Sequence, residues 1–147
     1  MNRIMTGVIP ALALGLIVVS MPGAAHAADG GRPTTVTLTG AAEAPGPGDP
    51  DGTATFHMTV NPGLGEICYT FTVSGVDQVV AAHIHLAPVG SPGPVVVPLV
   101  PPTSGSSAGC AAVPRALAKN ILKHPGDYYV NVHNAVYPAG ALRAQLG

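Results

Sequence analysis

Thr53-Ala-Thr-Phe-His-Met-Thr-Val60, then Asn61-Pro62-Gly63, then Glu66-Ile-Cys-Tyr-Thr-Phe-Thr-Val-Ser74 is the stretch that decides the fold class. In its first segment Ala54, Phe56, Met58 and Val60 alternate with Thr53, Thr55, His57 and Thr59. In the second, Ile67, Tyr69, Phe71 and Val73 occupy every other position. Period-two alternation of apolar and polar residues is the mark of an antiparallel strand with one buried face. A Pro-Gly turn between two such runs predicts a β-hairpin. His57, among threonines on the outer face, reads as a solvated side chain.

The same pattern extends outward in both directions. Thr34 to Thr39 reads as an earlier strand, with Val36 and Leu38 on one side. Val79 to Leu86 and Val95 to Val100 follow, the first with Val80, Ala82, Ile84 and Leu86 assigned to the core face. Pro98 cannot donate to a ladder, which makes the second of these an edge strand. Pro45 to Gly52 and Pro101 to Gly109 read as loops. Pro114 to His124 is the one helical stretch, with Leu117, Ile121 and Leu122 at helical spacing, Lys119, Lys123 and His124 late, and Pro125-Gly126 as the stop. Tyr128 to Asn134 and Ala141 to Leu146 complete the set. Short strands punctuated by turns predict an all-β domain, a β-sandwich or small Greek-key barrel with one short helix.

Composition agrees and excludes several classes. The chain has 147 residues, 19 Gly, 16 Pro and a formal charge of −1, with 47% hydrophobic residues and 4% aromatic. Nucleic-acid binding needs clustered Lys and Arg, and none are clustered here. The apolar content is too high for wholesale disorder. Residues 1–27 form a separate unit: Arg3, an apolar run from Val8 to Val19, a break at Met21-Pro22-Gly23, then Ala25-His26-Ala27. That order is a cleavable secretory signal, and the run is too short and too interrupted for a membrane span. Cleavage leaves residues 28–147 as a single secreted domain with 5 basic and 7 acidic side chains and five histidines. In an oxidising compartment Cys68 and Cys110, the only cysteines, are expected to form a disulfide.

His83-Ile84-His85 carries what chemistry the chain has. On a strand the two imidazoles share a face and can reach one ion. His133, in Tyr128-Tyr-Val-Asn-Val-His-Asn134, shares a face with Tyr129 and Asn131. If these strands are neighbours the three rings converge; the alternative is hydrogen-bonded packing. Glu66 and Asp127 are candidates to orient a histidine ring, although nothing in the sequence places them beside one. No constellation for nucleophilic catalysis is present, which leans away from an enzyme.

Val80-Ala-Ala-His-Ile-His-Leu-Ala-Pro-Val-Gly-Ser-Pro-Gly-Pro-Val-Val-Val97, Gly126-Asp-Tyr-Tyr-Val-Asn-Val-His-Asn134 and Tyr137-Pro-Ala-Gly-Ala-Leu-Arg-Ala-Gln-Leu146 together resemble the CHRD domain, over roughly residues 34–146. Ala141 and Ala144 depart from the acidic residue and the Gly common there. The resemblance implies an immunoglobulin-like β-barrel in an extracellular module, with Asn131, Tyr137, Gly140 and Arg143 as motif residues joining the closing strands. A second resemblance, to copper/zinc superoxide dismutase, reaches only His83 and His85; the bridging and zinc-loop ligands have no counterpart. Two functions follow. One is a non-catalytic module binding an extracellular or cell-surface ligand. The other is a copper- or zinc-binding protein using His83, His85 and His133.

Overall fold

Phe56 and Phe71, facing each other across the hairpin with ring centroids 4.6 Å apart, lie at the centre of the core. The computed structural model describes residues 32–147; the leader expected at residues 1–27 lies outside them. The strands are β1 (Pro33–Thr39), β2 (Thr53–Asn61), β3 (Glu66–Ser74), β4 (Val79–Leu86), β5 (Val95–Leu99), β6 (Ser106–Ala112), β7 (Tyr128–Asn134) and β8 (Leu142–Gln145). One helix, α1 (Arg115–Lys123), precedes β7. All strand pairs are antiparallel, in the order β5-β4-β7-β8-β1-β2-β3-β6.

The sheet curls into a nearly closed barrel, so the all-β expectation holds in its barrel form. Two junctions complete the circle. Between β8 and β1 the ladder holds a single pair, Thr39 opposite Arg143. Between the edges β5 and β6, side chains replace a ladder. The backbone N–H of Val100 donates to the Tyr69 hydroxyl at 2.7 Å, and the Ser107 hydroxyl donates to the Val100 carbonyl at 2.8 Å. Pro98 does sit on an edge strand, as its missing donor requires.

The hairpin is formed as predicted, with Ala54, Phe56, Met58, Val60, Ile67, Tyr69 and Phe71 buried. α1 lays Ala118 and Ile121 into the core, with Leu117 and Leu122 packed beside them. Cys68 and Cys110 are opposed on β3 and β6 and are disulfide-bonded.

Two sequence readings need correction. Residues 106–109 belong to β6, not to a loop. Ser-Ser-Ala-Gly-Cys-Ala-Ala has little strand preference of its own, and its pairing with β3 and the disulfide supply what propensity does not. Alternation places Val80 and Leu86 inward, but they are 58% and 43% exposed. A register shift between Val79 and Ala81 turns Val79 into the core and Val80 out. Leu86 ends its strand, and Ala87 takes the buried position after it.

Candidate metal centre

The site forms on the outer face of β4, β7 and β8, and the register builds it. His83 lies opposite Asn131, which lies opposite Arg143; His85 lies opposite Tyr129, which lies opposite Gln145. His133 stands two residues beyond Asn131. The condition set by the sequence is therefore met: β4 and β7 are neighbours. One ligand nitrogen from each of His83, His85 and His133 lies within 4.8 Å of the others.

An outer sheet face is ordinarily wet, yet Asn131 and Arg143 are 1% exposed, Tyr129 3% and His85 7%. The loop 87–94 folds back over them. Arg143 donates to the carbonyls of Ser91 and Pro88, both at 2.9 Å, and to the Gln145 side-chain oxygen at 3.3 Å. Gln145 donates to the carbonyls of Ala87 and Gly126. Gly93 donates to the Tyr129 hydroxyl, and no larger residue fits there, because a Cβ would strike the Leu86 carbonyl. The Arg143 guanidinium lies 3.5 Å over the Tyr129 ring, and that ring stacks on His85 at 4.6 Å and 5°. The barrel thus has a second, polar core on its outside.

Backbone carbonyls set the ring tautomers. His85 Nδ1 is 2.9 Å from the Gly93 oxygen, and His133 Nδ1 is 3.1 Å from the Pro138 oxygen. A carbonyl only accepts, so each Nδ1 carries its hydrogen and the neutral ring leaves Nε2 bare. His83 Nδ1 and His133 Nε2 are 3.2 Å apart. Metal bonds of about 2.0–2.1 Å at tetrahedral angles separate neighbouring donors by roughly 3.3–3.4 Å. The His83–His133 edge already has that length. Burial holds His83 below the usual histidine range, helped by His133 and His85. Burial likewise lowers His133, with His85 adding to it against the Pro138 carbonyl. Both rings are neutral at pH 7, the state a metal requires.

The carboxylate that matters is Glu43, from the turn after β1; the sequence reading passed over it. Glu66 lies beside the disulfide, and Asp127 is exposed in the turn before β7. Glu43 is drawn toward its charged form by the Ala44 N–H, the Arg143 guanidinium and the Asn131 carboxamide, but burial outweighs them and raises it to about 7. Gly140, at φ +152°, makes the space: a Cβ there would run into the Glu43 carboxylate. Gly140 and Tyr137 close the turn into β8, with Gly140 N–H on the Tyr137 carbonyl at 3.1 Å. A second group, Glu66, Cys68 and Cys110, is no ligand set, because its sulfurs are joined to each other.

Glu43 gives a testable sign. Its folded-state value lies above the ordinary 4.5, so the folded protein holds a proton that the unfolded chain releases between those two values. This group therefore destabilises the fold progressively as pH rises from about 4.5 to about 7. Glu43→Gln is expected to match the parent near pH 4 and to gain about 1–2 kcal/mol at pH 8, allowing for residual solvent contact. Urea unfolding at both values measures this; equal differences at both would rule out burial as the cause. The lowered histidines act oppositely, removing stability as pH falls below 6.5.

The comparison with known families matches the CHRD domain over residues 34–146. No curated protein and no solved structure matches the chain.

Proposed function

Because this chain belongs to the CHRD domain family, whose members are β modules of extracellular type, we propose that it is an exported, non-catalytic module that binds a copper or zinc ion through His83, His85 and His133. The supporting observation is the pair of backbone carbonyls, at Gly93 and Pro138, that hold the hydrogens of His85 and His133 on the nitrogens facing away from the cluster. Metal-binding histidines are oriented by such partners. An all-imidazole set suits copper and zinc over magnesium or calcium, which take oxygen donors. The signal-like leader and the disulfide support export, and N-terminal sequencing of the secreted protein should begin near Ala28.

Purified protein dialysed against zinc or copper is expected to retain about one ion per chain. His133→Ala should weaken binding about 100-fold or more, and the His83→Ala/His85→Ala double variant should abolish it. Elemental analysis and calorimetry read the outcome. Equal, near-zero metal in the parent and the variants would overturn the reading, leaving the cluster as a lock for the loop 87–94.

A further inference from the structure

We propose that Asn131 completes the site as a fourth donor, through its carboxamide oxygen, and that Glu43 is the positioning residue that aims it. This rests on the metal reading above and names a ligand and a support which that reading does not use. Asn131 Oδ1 lies 2.9 Å from His85 Nε2 and 3.0 Å from His133 Nε2. Both nitrogens are bare, because their rings spend their hydrogens on Gly93 and Pro138. Asn131 Oδ1 and His85 Nε2 therefore face each other with no hydrogen between them, in a cluster where the one hydrogen on offer is that of His83 Nδ1, 3.2 Å from His133 Nε2. Such a cluster is unfavourable until a cation enters it.

An amide can relieve this crowding by turning over and presenting its NH2 to the nitrogens. Glu43 opposes that turn. The Asn131 carboxamide is among the groups that draw Glu43 toward its charged form, so its NH2 end is the one that suits the carboxylate and the oxygen is left for the histidines. Turning the amide would set oxygen against carboxylate. Glu43 in turn is lodged where Gly140 lacks a side chain, and its Oε1 is buried without a partner of its own. The fold thus keeps a strained acceptor cluster in place from two directions. Three imidazoles and an amide bring no anionic ligand, and Glu43 is the carboxylate nearest to Asn131 on which such a site can draw. The 3.2 Å His83–His133 edge is close to the separation of two donors on one ion, and the two Asn131 distances open by a few tenths of an ångström when an ion enters an N3O set.

The test uses the full secreted chain with Zn(II) for affinity and Co(II) for its visible spectrum, which reports the donor set. Asn131→Ala should weaken Zn(II) binding 10- to 100-fold and shift the Co(II) bands. Asn131→Asp, close in shape and carrying an oxygen donor of its own, should retain Zn(II) binding with altered Co(II) bands. Glu43→Gln should weaken Zn(II) binding about 10-fold and move the Co(II) bands, a spectral change that a purely structural residue does not produce. If the parent binds metal and all three variants bind it with parental affinity and spectrum, the proposal is overturned while the three-histidine site stands. If the parent binds no metal, both fall together.

Discussion

Arg143→Met is expected to cost about 3–4 kcal/mol of stability, a large effect for a residue on the outside of a barrel. Arg is among the residue types least often buried, yet this one is 1% exposed and holds three oxygen acceptors while covering Tyr129. Hydrogen bonds to a charged group contribute about 1.5–3 kcal/mol each net of water, less when several share one group and its desolvation is relieved on removal, and a cation–ring contact adds about 1–2. Met fills much of the volume and restores none of these. Arg143→Lys keeps the charge without the planar fork and should lose about 2 kcal/mol. Amide exchange should locate the damage in the loop 87–94, where Gly93 N–H is held by the Tyr129 hydroxyl and Leu86 N–H by the Pro94 carbonyl. A loss in the Met variant below about 0.5 kcal/mol, the range of an ordinary surface change, would contradict the account.

Removing the Cys68–Cys110 bridge is expected to cost about as much by a different route. The two cysteines are 42 residues apart in sequence. Chain entropy gives such a closed loop about 4 kcal/mol of stabilisation. The native state adds a local reason. β6 is built of small residues and has β3 as its ladder partner, so the bridge offsets weak intrinsic propensity at an edge. Cys68→Ala/Cys110→Ala, or reduction of the parent, should lower the melting temperature by roughly 15 °C or more. Exchange protection should be lost first in Ser106–Ala112. A fall of only a few degrees would mean that the pairing of β6 is set by its ladder and by the Ser107 and Tyr69 bonds instead.

What could be read in advance divides along physical lines. The hairpin of β2 and β3 was legible because its alternation is unbroken and its turn chemistry explicit. The phase of β4 was not, since a register shift leaves no trace in residue types. β6 stayed hidden because Ser, Ala and Gly carry almost no signal without their partner strand. His83, His85 and His133 could be found because a strand puts alternate residues on one face; their convergence needed only β4 beside β7. Glu43 could not be found. It lies about 90 residues before Asn131 in the chain, and its place depends on a side chain that Gly140 does not have. Arg143 was visible as part of a motif, but its burial is a property of the loop that closes over it.

The single ladder pair between β8 and β1 divides the barrel into two leaves on a narrow spine. One leaf, β5-β4-β7-β8, carries His83, His85 and His133, while the other, β1-β2-β3-β6, carries the covalent stitch. Glu43 follows β1 and reaches across the spine toward Asn131 on β7. Of the two seams this one keeps a ladder pair while the β5–β6 seam keeps only bonds through side chains, and the stitch lies within one leaf. An ion held among the histidines would rivet the other leaf and, through the attraction of Glu43, draw the two plates together. Occupancy would then be legible as mechanical stiffness, in a protein whose backbone need not change shape to report it.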